Sequence, residues 1–238
     1  MVKAPRQPSS PEGISPDALA DAALAVMNIH GWRGLSLGAV AERLGVPVAR
    51  VLAVAPTRAG LLRLVFRSVD RRMLAGVTQA DEMESHRDRL FDLVMRRLDV
   101  LTPTRRAVEA LTRDALLDPA VGLTILAELR RSNALTLEAA GISTRGPWGE
   151  ARVQAFGAVY AAVLRTWRDD ETPDLAHTMK TLDKMLDRAE RAEHFACALV
   201  PRSGRAGVRT GDNTDKAGHD SDAAGEATRK PPPGSEPT

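Results

Sequence analysis

The sequence between residues 15 and 62 is divided into short helices by caps and breakers, and this division restricts the fold more than any other feature. Ser15 is suited to cap a first helix, because its side chain can accept a hydrogen bond from an unpaired backbone N–H. Apolar residues then recur at helical spacing until Gly31, where we expect the helix to end. Ser36 is suited to cap a second helix that ends at Gly45, since glycine readily takes the left-handed conformation.

A third short helix follows at once, from about Val48 to Val54, and Pro56-Thr57 separates it from a long fourth helix. The turn Leu44-Gly45-Val46-Pro47 joins the second and third helices, as in a helix-turn-helix motif. In that motif the second helix enters the major groove of DNA with its early residues facing the base edges. The order of the helices therefore predicts a DNA-binding domain over residues 15–57.

Several short motifs follow one another in this domain. They are Leu19-Ala20-Asp21-Ala22-Ala23-Leu24, the His30-Gly31-Trp32 corner, Leu37 through Val46, and Pro56-Thr57-Arg58 before Leu61-Leu62. Together they resemble the N-terminal domain of the TetR family of bacterial repressors. The resemblance implies an all-α protein with an N-terminal three-helix helix-turn-helix domain and a C-terminal helical bundle for ligand binding and dimerisation. It also implies a homodimeric transcriptional regulator that binds double-stranded DNA and responds to a small effector.

The third helix differs from the polar and aromatic recognition helix that is usual in that family. Val48, Leu52 and Val54 occupy the corresponding places, and Arg50 is the residue of this helix that can make a bidentate contact to guanine. Arg58, at the start of the fourth helix, stands where the family has a phosphate-binding lysine. The residues that we predict to contact DNA are Arg33, Arg43, Pro47, Val48, Arg50, Val51 and Arg58.

A second set of motifs leaves another function open. They are Ala22-Ala23-Leu24 with Gly31-Trp32, Val69-Asp70-Arg71-Arg72-Met73, Arg87-Asp88-Arg89-Leu90, and Trp167-Arg168-Asp169-Asp170 with Leu182-Asp183. This set is similar to accessory proteins of ubiquinone biosynthesis, which share the fold but bind isoprenoid lipid. That resemblance implies a degenerate helix-turn-helix that is kept only for packing.

Proline and glycine punctuation predicts five helices in the remaining sequence. We expect them at about 86–101, 103–117, 119–140, 149–169 and 173–196. The last two carry apolar stripes, and we expect them to form the homodimer interface, because a regulator of this kind needs two heads to span two half-sites. The alternative is that both stripes face the protomer's own core.

Large apolar residues of the middle helices are the candidates for a ligand cavity. The residues that we expect to line it are Phe91, Met95, Leu126, Phe156, Tyr160 and Trp167. Few polar groups accompany them, so the expected ligand is apolar. The alternative is that these side chains form an ordinary core.

Charge is distributed unevenly along the chain, although the net charge is only +2. Residues 1–80 carry ten Lys or Arg and five Asp or Glu, whereas residues 81–200 carry seventeen and twenty. A basic N-terminal unit on a mildly acidic body is typical of a phosphate-binding head on a sensor.

The sequence gives no indication of an enzyme. The five histidines are scattered, and we expect neither a metal nor a cofactor. The single cysteine, Cys197, excludes an intramolecular disulfide and fits a reducing cytoplasm. We expect no membrane span, because no long run of uncharged apolar residues occurs.

The composition predicts four segments. They are a flexible leader over 1–14, the DNA-binding domain over 15–57, an effector-binding and dimerisation domain over 58–200, and a tail over 201–238 that is too polar to order itself. Paired arginines in the body are expected on solvated faces or in ion pairs with acidic residues such as Asp70 and Glu128. The run Asp169-Asp170-Glu171 is expected at the solvated surface.

Overall fold

The computed structural model describes residues 14–77, 84–115 and 117–199, with side chains described up to residue 192. These residues form α-helices and one 3-10 turn and contain no strand, so the all-α prediction is confirmed. The helices are α1 (Pro16–Gly34), α2 (Leu37–Leu44), α3 (Val48–Val54), α4 (Arg58–Leu74), α5 (His86–Leu101), α6 (Arg105–Ala115), α7 (Pro119–Ala139), α8 (Gly146–Asp169) and α9 (Ala176–Leu199), with the 3-10 turn at Thr102–Thr104. The predicted leader, apart from Ile14, and the predicted tail lie outside the described residues.

Side-chain caps fix the corners of the N-terminal domain where the sequence predicts them. Ser15 Oγ accepts a hydrogen bond from Asp17 N at 3.2 Å, and Ser36 Oγ accepts one from Ala39 N at 3.0 Å. Thr57 Oγ1 accepts one from Gly60 N at 3.0 Å at the start of α4. Each cap pairs an N–H that the helix itself leaves without a partner and contributes about 1 kcal/mol.

Two glycines set the direction of the chain in this domain. Gly45 takes the left-handed conformation (φ 65°) that ends α2, as predicted. Gly31 also has a positive φ (67°), but it produces a kink and not the predicted end, because α1 continues to Gly34. The kink lets Trp32 turn into the core, where its side chain is buried.

The buried apolar residues form two clusters. The head core joins α1, α2, α3 and the first half of α4 to Ala107 of α6 and Val121 of α7, and it includes Leu19, Ala23, Met27, Val40, Val51, Leu61, Leu62 and Val65. The body core joins the second half of α4 to α5, α7, α8 and α9, and it includes Val69, Met73, Leu98, Val153, Phe156, Val163, Trp167, Leu182 and Leu186. Helix α4 contributes to both cores and therefore connects the helix-turn-helix to the body.

The stripes of the last two helices lie inside the protomer. Val153, Phe156 and Val163 of α8 and Leu182 and Leu186 of α9 are all buried in the body core. These stripes therefore face the protomer's own core, which is the alternative, and a homodimer formed through α8 and α9 stays a prediction. Dimerisation through α8 and α9 would use their outer faces.

The acidic run at the end of α8 also differs from expectation, because Asp170 is buried. Its Oδ2 accepts hydrogen bonds from Thr178 N at 2.8 Å and Thr178 Oγ1 at 2.7 Å. Its Oδ1 accepts hydrogen bonds from the backbone N–H and the hydroxyl of Thr172. Asp170 thus satisfies an N-terminal amide of α9 and fixes the turn between α8 and α9.

Candidate DNA interface and ligand cavity

Helix α3 lies on the surface of the head. The side chains of Val48, Leu52 and Val54 are 47%, 49% and 37% exposed, and Arg50 is exposed beside them. Val51 points the other way and is completely buried in the head core. Val51 anchors the helix and cannot reach a groove, so its predicted contact with DNA is wrong.

The sequence on either side of this helix is basic. Residues 33–58 contain four arginines and one acidic residue, Glu42. Arg33, near the end of α1, and Arg43, in the last turn of α2, are both exposed. The exposed side of the motif therefore carries both apolar side chains and the arginines Arg33, Arg43 and Arg50. A basic surface attracts a polyanion.

Arg58 is turned toward the interior of the head. Its guanidinium lies over the Trp32 ring at 4.5 Å from the ring centroid and donates a hydrogen bond to the Trp32 carbonyl. This cation–π contact joins the start of α4 to the end of α1. The geometry makes Arg58 a structural residue, and its predicted phosphate contact does not fit this position.

A cavity of about 670 Å³ lies between the head and the body, within the size range of small-molecule sites. Its wall is mostly apolar and includes Met27 of α1, Val65 of α4, Leu111 of α6, Leu129 of α7 and Leu164 of α8. Two of these residues, Met27 and Val65, also belong to the head core. A molecule in the cavity would therefore contact α1 and α4 of the head directly.

Three of the six residues predicted to line a cavity lie on this wall, namely Leu126, Tyr160 and Trp167. Phe91, Met95 and Phe156 do not belong to the wall but pack in or against the body core. Helical periodicity identifies an apolar face but does not determine whether that face borders a cavity or a neighbouring helix.

A buried polar cluster forms one part of the wall. Arg97 Nη2 donates to Asp70 Oδ1 at 3.0 Å and to Thr136 Oγ1 at 2.8 Å. Ser132 Oγ donates to Asp70 Oδ1, and Arg131 Nη2 donates to Asp70 Oδ2 at 2.6 Å. The predicted ion pairing of Asp70 is confirmed, but Arg97, one of the paired arginines, is buried and lines the cavity instead of lying on a solvated face.

Arg97 also lies over the ring of Tyr160, 5.3 Å from its centroid. Burial raises the pKa of the Tyr160 hydroxyl above its ordinary value, and the nearby Arg97 opposes this shift only in part. Tyr160 therefore stays neutral at physiological pH and can serve as a hydrogen-bonding group.

The described residues were also compared with what a metal site and a membrane span require. Within residues 14–77, 84–115 and 117–192, no three His, Cys, Asp or Glu side chains are grouped closely enough to hold a metal ion. In the same part of the chain, each helix is too short or too polar to cross a bilayer.

No protein-family model matches the chain, and no curated protein is similar enough to be matched. Solved structures do resemble it. A TetR transcriptional regulator from Nitrosomonas europaea superimposes with a TM-score of 0.61 at 21% identity, over 74% of this chain and 98% of that one. The chain has the TetR fold.

Two more solved structures agree. A transcriptional regulator from Rhodococcus sp. Rha1 matches with a TM-score of 0.51 at 21% identity, over 75% of this chain and 97% of that one. A TetR transcriptional regulator from Rhodococcus sp. RHA1 matches with a TM-score of 0.50 at 16% identity, over 71% and 93%. Within the TetR fold of this chain, α2 and α3 are joined in helix-turn-helix order.

Proposed function

We propose that the protein is a DNA-binding transcriptional regulator whose affinity for DNA is controlled by a small apolar effector. The observation that carries the proposal is the exposed outer face of α3, with Val51 as its buried anchor, in a basic stretch of the sequence. A helix that is buried on one side and exposed to solvent on the other is suited to enter a major groove.

The side chains on the exposed face indicate how DNA would be read. Arg33 and Arg43 are exposed on the two helices that precede α3 and are suited to contact phosphates, which supply affinity without sequence information. Arg50 is suited to a bidentate contact with guanine, and Val48 and Leu52 are suited to pack against thymine methyl groups. We therefore expect half-sites in which thymines accompany a guanine.

The cavity supports the regulatory part of the proposal. Its wall includes Met27 of α1 and Val65 of α4, so a bound molecule would pack against both of the long helices of the head. An effector that fits one arrangement of these helices better than another shifts the population of DNA-binding conformers by its differential affinity. In a homodimer, which we propose to form through the outer faces of α8 and α9, that shift would change the spacing of two heads.

The proposal is tested by gel shift or fluorescence anisotropy with the DNA upstream of the protein's own gene, over a series of salt concentrations. We expect binding that weakens steeply with salt and is abolished in Arg50→Ala. The matched control is Arg145→Ala, which removes an exposed arginine from the loop before α8. Salt-independent binding, or an equal loss in both variants, would overturn the proposal.

The exposed valines and leucine of α3 favour a second function. An apolar recognition face and an apolar cavity also suit an isoprenoid-lipid-binding accessory protein of ubiquinone biosynthesis, in which the helix-turn-helix serves only for packing. Isoprenoid that copurifies with a protein unable to bind DNA would support this function and exclude the first.

A further inference from the structure

The wall of the cavity differs in character between its buried part and its exposed part. The buried part consists mostly of apolar side chains, among them Met27 and Leu101. The charged residues of the exposed part are Arg130, Arg165 and Arg168, which we call the mouth arginines. A molecule that fills the cavity therefore meets apolar groups in the interior and cations where the cavity opens to solvent.

Positive charge predominates on this wall. Besides the mouth arginines it includes the buried Arg97, and its one acidic member among the described residues is the half-buried Glu109 of α6. Three of the four arginines have carboxylate partners that do not line the cavity, since Arg97 pairs with Asp70, Arg130 with Glu150 and Arg168 with Asp169. These arginines therefore lie closer to the cavity than the carboxylates that compensate them.

The buried cluster around Arg97 adds no excess of negative charge. Its two carboxylates, Asp70 and Glu128, are paired with three arginines, namely Arg63, Arg97 and Arg131. An anion in the cavity is therefore not repelled from this side of the wall.

Arg165 is the mouth arginine that is best placed to hold a ligand. Among the described residues, no acidic side chain pairs with it. Gln154 donates a hydrogen bond to Glu150 Oε1 at 2.9 Å, and Glu150 pairs with Arg130 of α7, so Gln154 marks the edge of α8 that faces α7. Arg165 follows Gln154 by about three helical turns and therefore lies on the same edge.

We propose that the cavity binds a single-chain amphiphile whose carboxylate head group pairs with Arg165 and whose apolar tail extends into the buried part. A guanidinium presents two parallel N–H groups that match the two oxygens of a carboxylate. Because Arg165 is exposed, the carboxylate keeps part of its hydration and avoids most of the cost of burying a charge. This inference rests on the proposed effector cavity and specifies the head group of its ligand.

A cationic head group is disfavoured by the same charges. It would find one carboxylate on the wall, that of Glu109, and would face the mouth arginines and Arg97. A neutral head group is neither attracted nor repelled in this way. For ligands that share one tail, the expected order of affinity is anion, then neutral, then cation.

The test compares decanoate, 1-decanol and decylamine by isothermal titration calorimetry on the full chain at pH 7, where the first is an anion and the last a cation. We expect decanoate to bind about fivefold more tightly than 1-decanol, as for an ion pair at a partly solvated position. Decylamine should bind more weakly than 1-decanol. At about 1 M salt the preference for decanoate should shrink, because salt screens exposed charges.

The variant Arg165→Gln keeps a long polar side chain and removes the charge. We expect it to bind decanoate and 1-decanol equally, with the affinity for 1-decanol retained. The control Arg145→Gln removes an exposed arginine that does not line the cavity and should keep the preference for decanoate. Glu109→Gln removes the opposing charge and should tighten the binding of decanoate while leaving 1-decanol unchanged. Circular dichroism of the three variants checks that they fold.

The inference is overturned if the unmodified protein binds decanoate no more tightly than 1-decanol, if the preference survives in Arg165→Gln, or if none of the three compounds binds. DNA binding is measured on the same samples, so the two proposals fail separately. A preference for decanoate that depends on Arg165, in a protein that does not bind DNA, would sustain the carboxylate site and overturn the regulator. DNA binding without that preference would do the reverse.

Discussion

Asp70 on α4 and Arg97 on α5 form an ion pair in the interior of the protein, with Arg97 Nη2 3.0 Å from Asp70 Oδ1 and both side chains at most 4% exposed. The carboxylate also accepts hydrogen bonds from Ser132 and Arg131 of α7. Three helices therefore meet at one buried charge. Because α4 also contributes to the head core, this cluster links the wall of the cavity to a helix of the head.

We predict that Asp70→Asn destabilises the protein by about 3–5 kcal/mol, because it leaves the buried Arg97 without a compensating charge. Urea unfolding at pH 7 measures the change. The control is Asp21→Asn, which breaks the ion pair between Arg72 and Asp21 at the surface and should cost less than about 1 kcal/mol. Equal losses in the two variants would show that Asp70 and Arg97 are not buried together.

Arg58 gives a prediction that separates a structural role from a DNA contact. We expect Arg58→Ala to lower the free energy of unfolding by about 1–2 kcal/mol, since it removes both the stacking on Trp32 and the hydrogen bond to the Trp32 carbonyl. The slope of log K against log salt should stay unchanged. For Arg43→Ala we expect the opposite, a slope reduced by about 0.9 with unfolding little affected.

For Arg58→Ala and Arg43→Ala, salt titrations of DNA binding measure the salt slope, and urea titrations measure the free energy of unfolding. A reduced salt slope in Arg58→Ala would mean that the guanidinium leaves Trp32 to contact a phosphate when DNA is bound.

Helix α3 allows a similar comparison between residues three apart. We predict that Val51→Ala costs about 2 kcal/mol of stability, because Val51 is completely buried in the head core. Val48→Ala, at an exposed position, should change stability by less than about 0.5 kcal/mol but weaken DNA binding. Thermal unfolding and anisotropy measurements check the pair, and a large loss of stability in Val48→Ala would place that side chain in the core.

The local structure of the head could be predicted from the sequence because its signals act over one helical turn. Ser36, Thr57 and Gly45 act on backbone groups within a few residues, so each marks its corner without help from the rest of the chain. Proline punctuation likewise predicts a helix over about 86–101, which the structure has as α5 at His86–Leu101.

The partners of buried groups could not be predicted, because they lie far apart in the chain. Asp70 meets Arg97 and Ser132, which are 27 and 62 residues away. Arg97 stands in a polar stretch that also fits an exposed helix face, and only the packing of α4, α5 and α7 buries it. Val51 likewise looks the same in sequence as Val48, and the packing of α3 on the head core alone distinguishes them.

Asp170 leads to a prediction about acid stability. Burial acts to raise the pKa of its carboxyl, but the hydrogen bonds from Thr172 and Thr178 outweigh burial and hold the pKa well below the ordinary value of 3.8. A carboxyl whose pKa is lowered by folding contributes stability that is present above its unfolded pKa and is lost as the pH falls toward the folded value. The free energy of unfolding should therefore decline between about pH 5 and pH 2.

Replacing this carboxylate should lower the free energy of unfolding and make that free energy less dependent on pH. We expect Asp170→Asn to be less stable than the unmodified protein by about 1–3 kcal/mol at pH 7, and the difference should shrink as the pH falls below 4. The control Asp174→Asn, at an exposed position four residues later, should follow the unmodified protein throughout. Urea unfolding at a series of pH values measures all three curves. A difference between Asp170→Asn and the unmodified protein that stays constant from pH 7 to pH 2 would mean that the charge of Asp170 contributes nothing and that the variant acts only through its packing.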